Sequence, residues 1–280
     1  DTNGIYISGT NTLQTTTGTS TLTGNSNALG NFGGGIFFAD GSSTTFDSGT
    51  GSINLLGLNS NTGYRGLRIG GSSSASINAK GNITFEDTGF QVMLRGQLTQ
   101  QANTTVNFKG KGVSMYAGTS VVKATGATGT TLNLDAQTVV VGDAGGAALT
   151  ADTINITGTT TTSGTTAVQV LRGSTITSSG ATAITASGPG TSLSSDADTT
   201  IAATGGLTVN INNAGTLASL VSGGSANVGG FTKSGAGTLT VSNSNTHSVP
   251  PIYLVCSRLC RTFCRTVMAR PNKAVLHVAP

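Results

Sequence analysis

Along residues 1–246 apolar and polar positions alternate in short bursts, without long apolar runs. One tripeptide, an apolar residue, Asn and a second apolar residue, occurs six times: Ile53-Asn54-Leu55, Ile77-Asn78-Ala79, Val106-Asn107-Phe108, Leu132-Asn133-Leu134, Ile154-Asn155-Ile156 and Val209-Asn210-Ile211. The first five are separated by 24, 29, 26 and 22 residues, and a further step of 22 lands on Ile176-Thr177-Ser178, a degraded copy. Between them lie Gly66-Leu67-Arg68-Ile69, Phe90-Gln91-Val92-Met93-Leu94, Val113-Ser114-Met115-Tyr116, Ala167-Val168-Gln169-Val170 and Ala183-Ile184-Thr185-Ala186. Period-2 alternation bounded by Gly, Asn, Ser and Asp reads as half-buried strands. Two or three strands per 22 to 29 residues form one repeating coil.

A strand of four residues spans only about 13 Å and cannot bury its inner face alone. Stacking successive coils in parallel at about 4.8 Å pairs every backbone N–H and C=O and encloses an apolar column. The pattern therefore predicts an all-β fold, a right-handed parallel β-helix with irregular coils of about 22–29 residues. The central Asn would face outward, either in a ladder of stacked amides or as a solvated residue near a turn. Residues 1–50 contain no polar helix to cap an open end and read as further coils, with Ile5-Tyr6-Ile7, Leu22 and Ile36-Phe37-Phe38 as strand cores. That, and a start at Asp1 without a signal sequence, favours a fragment or a mature chain.

Composition sharpens this picture. Only 9% of the 280 residues are charged, against roughly 25% in an ordinary globular protein. The 42 glycines and the absence of Trp suit a turn-rich chain, and no apolar run is long enough to span a membrane. A seam lies near residue 246. Beyond it fall all three cysteines, both histidines and four of the five prolines. Residues 1–246 carry nine Lys/Arg and ten Asp/Glu, while 247–280 carry five basic residues and no acid, so the pI near 9.2 belongs to the tail. The body thus gives no support for nucleic acid as a partner, and its lack of cysteine suits export. Two segments are expected: a β-helical body, 1–246, and a non-repeat basic tail, 247–280.

Residues 230–246 read Gly-Phe-Thr-Lys-Ser-Gly-Ala-Gly-Thr-Leu-Thr-Val-Ser-Asn-Ser-Asn-Thr. This resembles the passenger-associated repeat of bacterial autotransporters, through Phe231, Thr232, Lys233, Gly235, Gly237, Thr238 and Leu239, with Phe231 where that pattern has Leu. The rest of the body is similar in general character to β-helical autotransporter passengers and haemagglutinin-like adhesins. The resemblance implies secretion or display on the surface of a Gram-negative cell, with an outer-membrane translocation barrel, its own C-terminal one or a separate pore, as partner. The pattern should continue after Thr246 with an aromatic residue, Gly and Thr-Thr, and here His247 to Arg258 depart from it. Permitted codons for His247 onward, read from their third base, give Phe-Gly-Thr-Thr-Tyr. The tail therefore reads as frameshifted or disordered.

Candidate chemistry is sparse. Cys256, Cys260 and Cys264 lack the second pair or histidines of a zinc site, and on a helix Ile252, Cys256, Leu259, Phe263 and Val267 would share one face opposite Arg258, Arg261 and Arg265. Without His or Cys, the body has no Ser–His or Cys–His nucleophile. Glu86 and Asp87, adjacent in a strand, would point to opposite faces, whereas Asp196 and Asp198 would share one; the simpler reading of all four is solvated turn acids. Arg65, Arg68, Arg95, Lys109 and Lys111 would form a basic stripe if their coils align, or else scattered solubilising charge. Gly33-Gly34-Gly35 and Gly145-Gly146 read as turns. The expected function is a non-catalytic stalk or adhesin contacting host or matrix glycans or proteins, without metal or cofactor. The alternatives are a β-helical polysaccharide lyase or hydrolase, with Asp196 and Asp198 as its acids, and a surface-layer or ice-binding solenoid.

Overall fold

The computed structural model describes residues 3–27, 34–60, 65–222, 230–242 and 274–276. The body is a parallel β-helix of three faces. The first coil supplies Ile5–Ile7 to the first face, Thr10–Gln14 to the second and Thr19–Ser26 to the third. Each then pairs in parallel with its counterpart one coil on: Ile5 with Ile36, Thr10 with Ser43, Thr19 with Ser52. On the first face the register runs through Ile5, Ile36, Leu67, Val92, Val113, Val139, Val168, Leu193, Gly215 and Leu239. Successive steps range from 21 to 31 residues, wider than the expected 22 to 29, because the turns absorb insertions while the strands stay paired. Long strands such as Ser43–Asn59 pass through two faces, bending where the register shifts between Asp47 and Ser52.

Alternation decides what enters the interior. On the third face one inward file reads Leu22, Leu55, Phe85, Phe108, Leu134, Ile156, Ile184, Val209 and Lys233, each paired with the next. The apolar side chains of all three faces merge into one buried cluster from Ile7 to Leu239. One segment of it is aromatic. Phe85 stacks on Phe108 at 5.0 Å between ring centroids and meets Phe46 edge-on at 5.8 Å.

The Asn triplets are partly a ladder and partly not. Asn107, Asn133 and Asn155 pair on the third face; Asn133 Nδ2 donates to Asn107 Oδ1, and Asn155 Nδ2 to Asn133 Oδ1, each at 2.8 Å. Asn78 stands instead on the second face, paired with Thr99, and the third-face counterpart in its coil is Thr84. Ile176 also belongs to the second face, whereas Ala183 and Ile184 belong to the third. Asn210 pairs with Thr185, two residues beyond the ladder's file. A regular sequence step tracks a face only while turn lengths stay constant, and here they do not.

Small buried hydroxyls line the corners and satisfy turn backbone. Thr104 Oγ1 donates to the Ala79 carbonyl at 3.2 Å, Thr119 Oγ1 to the Leu94 carbonyl at 2.6 Å, and Ser195 Oγ accepts from Ala218 N–H at 2.8 Å. Gly142 turns another corner at φ +91°, where a Cβ would overlap the Leu171 carbonyl. Beyond the body, Ala274–Leu276 pairs antiparallel with Leu239–Val241. The three cysteines and the rest of the basic tail lie outside the described residues.

Candidate functional site

The first face presents Tyr6, Phe37, Arg68, Met93, Ser114 and Val140 in one outward file, each paired with the next. Outward positions on a solenoid are normally open to solvent, yet Arg68, Met93 and Ser114 are 5%, 2% and 0% exposed. Side chains from the flanking turns gather there. The Arg68 guanidinium lies 5.5 Å from the Phe37 ring centroid, and Arg95 lies 5.4 Å from that of Tyr116. Arg68 Nε donates to the Gly70 carbonyl and Arg95 Nη1 to the Gly71 carbonyl, each at 3.0 Å. Tyr6 is 58% exposed and meets Phe37 edge-on at 5.6 Å.

The cluster's electrostatics are those of crowded, dehydrated cations. Burial lowers the Arg68 pKa, and Arg65 and Arg95 push it the same way against the opposing pull of Asp40. Burial also lowers that of Arg65, against the pull of Asp143 and Tyr116. Both carboxylates have other partners. Burial pushes Asp40 up, but hydrogen bonds from Gly71, Ser73 and Ser72 outweigh it and hold the carboxyl below its ordinary value. Asp143 Oδ2 accepts from Ser114 Oγ at 3.0 Å. Arg65 Nε is buried with no hydrogen-bond acceptor. The expected five-member stripe thus divides: the three arginines share this cluster, while Lys109 and Lys111 lie around the corner at the end of the third face.

There Glu86, Lys109 and Asp135 pair in one outward file, so their charges alternate along the stack. With Lys111, Gln137 and Thr159 they line a shallow groove of about 380 Å³. Beside Glu86, Asp87 is fully buried rather than solvated. Its carboxylate accepts N–H bonds from Gly66 (2.6 Å), Gly89 (2.7 Å), Phe90 (3.2 Å) and Gln91 (2.7 Å), tying two coils at the corner. Burial raises its pKa despite those four donors.

Asp196 and Asp198 sit in the turn after Leu193–Ser195, not on a strand. Asp196 Oδ2 accepts from the Arg172 N–H of the preceding coil at 3.0 Å, while Asp198 is exposed. In the passenger-repeat segment, Phe231, Thr232 and Lys233 lie in Phe231–Ser234 on the third face, Gly235 and Gly237 in the turn, and Thr238 and Leu239 at the return to the first face. Lys233 points inward, 4% exposed, and its Nζ donates to the Gly235 carbonyl at 2.6 Å.

Among the described residues no group of three or more His, Cys, Asp or Glu side chains could hold a metal ion, and no helix is long and apolar enough to cross a membrane. No family model matches the chain, and no curated protein or solved structure is significantly similar to it.

Proposed function

We propose that this chain is a segment of a non-catalytic stalk or adhesin, secreted or displayed on a bacterial surface in the manner of an autotransporter passenger. The observation that carries this reading is the uninterrupted stack. Ten strands pair in register on the first face, and nine spacings of about 4.8 Å give a rod roughly 43 Å long over one continuous core. Such a rod holds side chains at fixed intervals along its outside, an arrangement suited to multivalent contact with a surface. The passenger-repeat resemblance supports export through an outer-membrane barrel, the chain's own or a separate one. Host or matrix glycans or proteins are the partners such a rod would meet.

The reading is tested by labelling intact cells of the bacterium that makes the protein with antibody against the purified chain, alongside incubation of that chain with a polysaccharide panel. Labelling without permeabilisation and no loss of polysaccharide viscosity are the expected results. Label confined to permeabilised cells, or depolymerisation lost in the D196A/D198A variant, would overturn it.

A further inference from the structure

On the first face, Arg65 and Arg95 have no carboxylate within 4.0 Å among the described residues, where the ion pairs are Lys80–Asp47 and Lys123–Asp152. Arg65 Nε is a buried donor without an acceptor, a costly state that an incoming acceptor relieves. The nearby carboxylates are engaged, Asp40 by the Gly71 and Ser72 N–H groups and Asp143 by Ser114. What the buried Arg65 Nε lacks is therefore a hydrogen-bond acceptor. Guanidinium forks match planar or tetrahedral oxyanions, and Phe37 and Tyr116 hold two of them in place. Exposed Tyr6 extends the same face with a flat apolar surface of the kind sugar C–H groups pack on.

We propose that the Arg65–Arg68–Arg95 cluster binds an oxyanion, carboxylate or sulfate, carried on a saccharide chain. The proposal rests on reading the rod as an adhesive stalk and names the ligand class of that stalk. Nucleic acid fits less well, because three arginines beside two carboxylates cannot neutralise a run of phosphates.

The test is calorimetric titration of the purified full chain with a heparin oligosaccharide, an oligogalacturonate, a neutral dextran oligosaccharide and duplex DNA. Binding of either acidic saccharide, weakening with salt, and none of dextran is expected; heparin alone assigns sulfate and oligogalacturonate alone carboxylate. Arg65→Met, which keeps the apolar stem, should weaken binding at least about tenfold, and K109Q/K111Q should not. If Arg65→Met fails to fold, Arg95→Met serves instead. Unchanged affinity in a folded arginine variant, binding of neither acidic saccharide, equal binding of dextran, or tighter binding of DNA would overturn the site. Beads coated with the chain separate this from the stalk reading. Adhesion that survives Arg65→Met overturns the site alone, and saccharide binding without adhesion overturns the stalk alone.

Discussion

Lys233 occupies, in the last coil of the described third face, the inward position that Val209 holds one coil earlier. Every preceding member of that file is aliphatic or aromatic, so an ammonium group follows eight apolar side chains. Burial lowers its pKa. The unfolded chain therefore binds more protons between the depressed folded pKa and the ordinary lysine value, and stability should rise with pH across that alkaline window. Lys233→Met should abolish this rise and stabilise the protein at neutral pH by about 1 kcal/mol, or roughly 2–4 °C. Thermal melts of both proteins between neutral and alkaline pH check it.

The aromatic segment of the core should be the most sensitive to truncation. Phe85 is fully buried against Phe38, Phe46 and Phe108, and Phe85→Ala should cost about 3–5 kcal/mol. A urea titration measures this as a fall in midpoint. A loss under about 1 kcal/mol would mean that the column is not packed as described.

The amide ladder makes a smaller, cooperative contribution. Asn133 both donates to Asn107 and accepts from Asn155, so Asn133→Ala should cost about 1–2 kcal/mol. Asn155→Ala added to it should cost less than in the parent protein, since the shared bond is already lost. A double-mutant cycle by chemical denaturation reads the difference.

Acid should loosen the corner between the second and third faces. Burial pushes Asp152 up, but hydrogen bonds from Lys123, Ser179 and Thr130 outweigh it and hold its carboxyl well below the usual range. A carboxyl depressed on folding contributes stability that is full above the unfolded carboxylate pKa, about 3.9, and is lost as pH falls through the folded value. Asp152→Asn should therefore be less stable than the parent at neutral pH and converge with it in strong acid, as melting temperatures across that range would record.

The strand-and-coil plan was legible because alternation reports a half-buried strand whatever its neighbours are: Ile5-Tyr6-Ile7, Ile36-Phe37-Phe38 and the triplets around Asn107, Asn133 and Asn155 all lie in stacked strands. Face assignment was less legible. Asn78 and Asn107 share a motif but stand on different faces, because turn lengths between strands vary and only backbone pairing fixes register. The arginine cluster was half visible. Sequence brought Arg65, Arg68 and Arg95 together by coil spacing, but it also added Lys109 and Lys111, and nothing in it showed that Phe37 and Tyr116 would face the guanidiniums. Asp87 was hidden for a similar reason. Its four N–H donors come from residues 66 and 89–91, and the bond from Gly66 exists only once two coils meet.

In the proposed stalk, the exterior of the rod makes the contacts that matter. The most direct measurement is the adhesion of beads coated with the purified chain to surfaces bearing acidic and neutral polysaccharide. Retention on the acidic surface, competed by soluble acidic oligosaccharide and reduced by Arg65→Met, is the expected result. Beads that bind neither surface while the coated chain remains folded would contradict it.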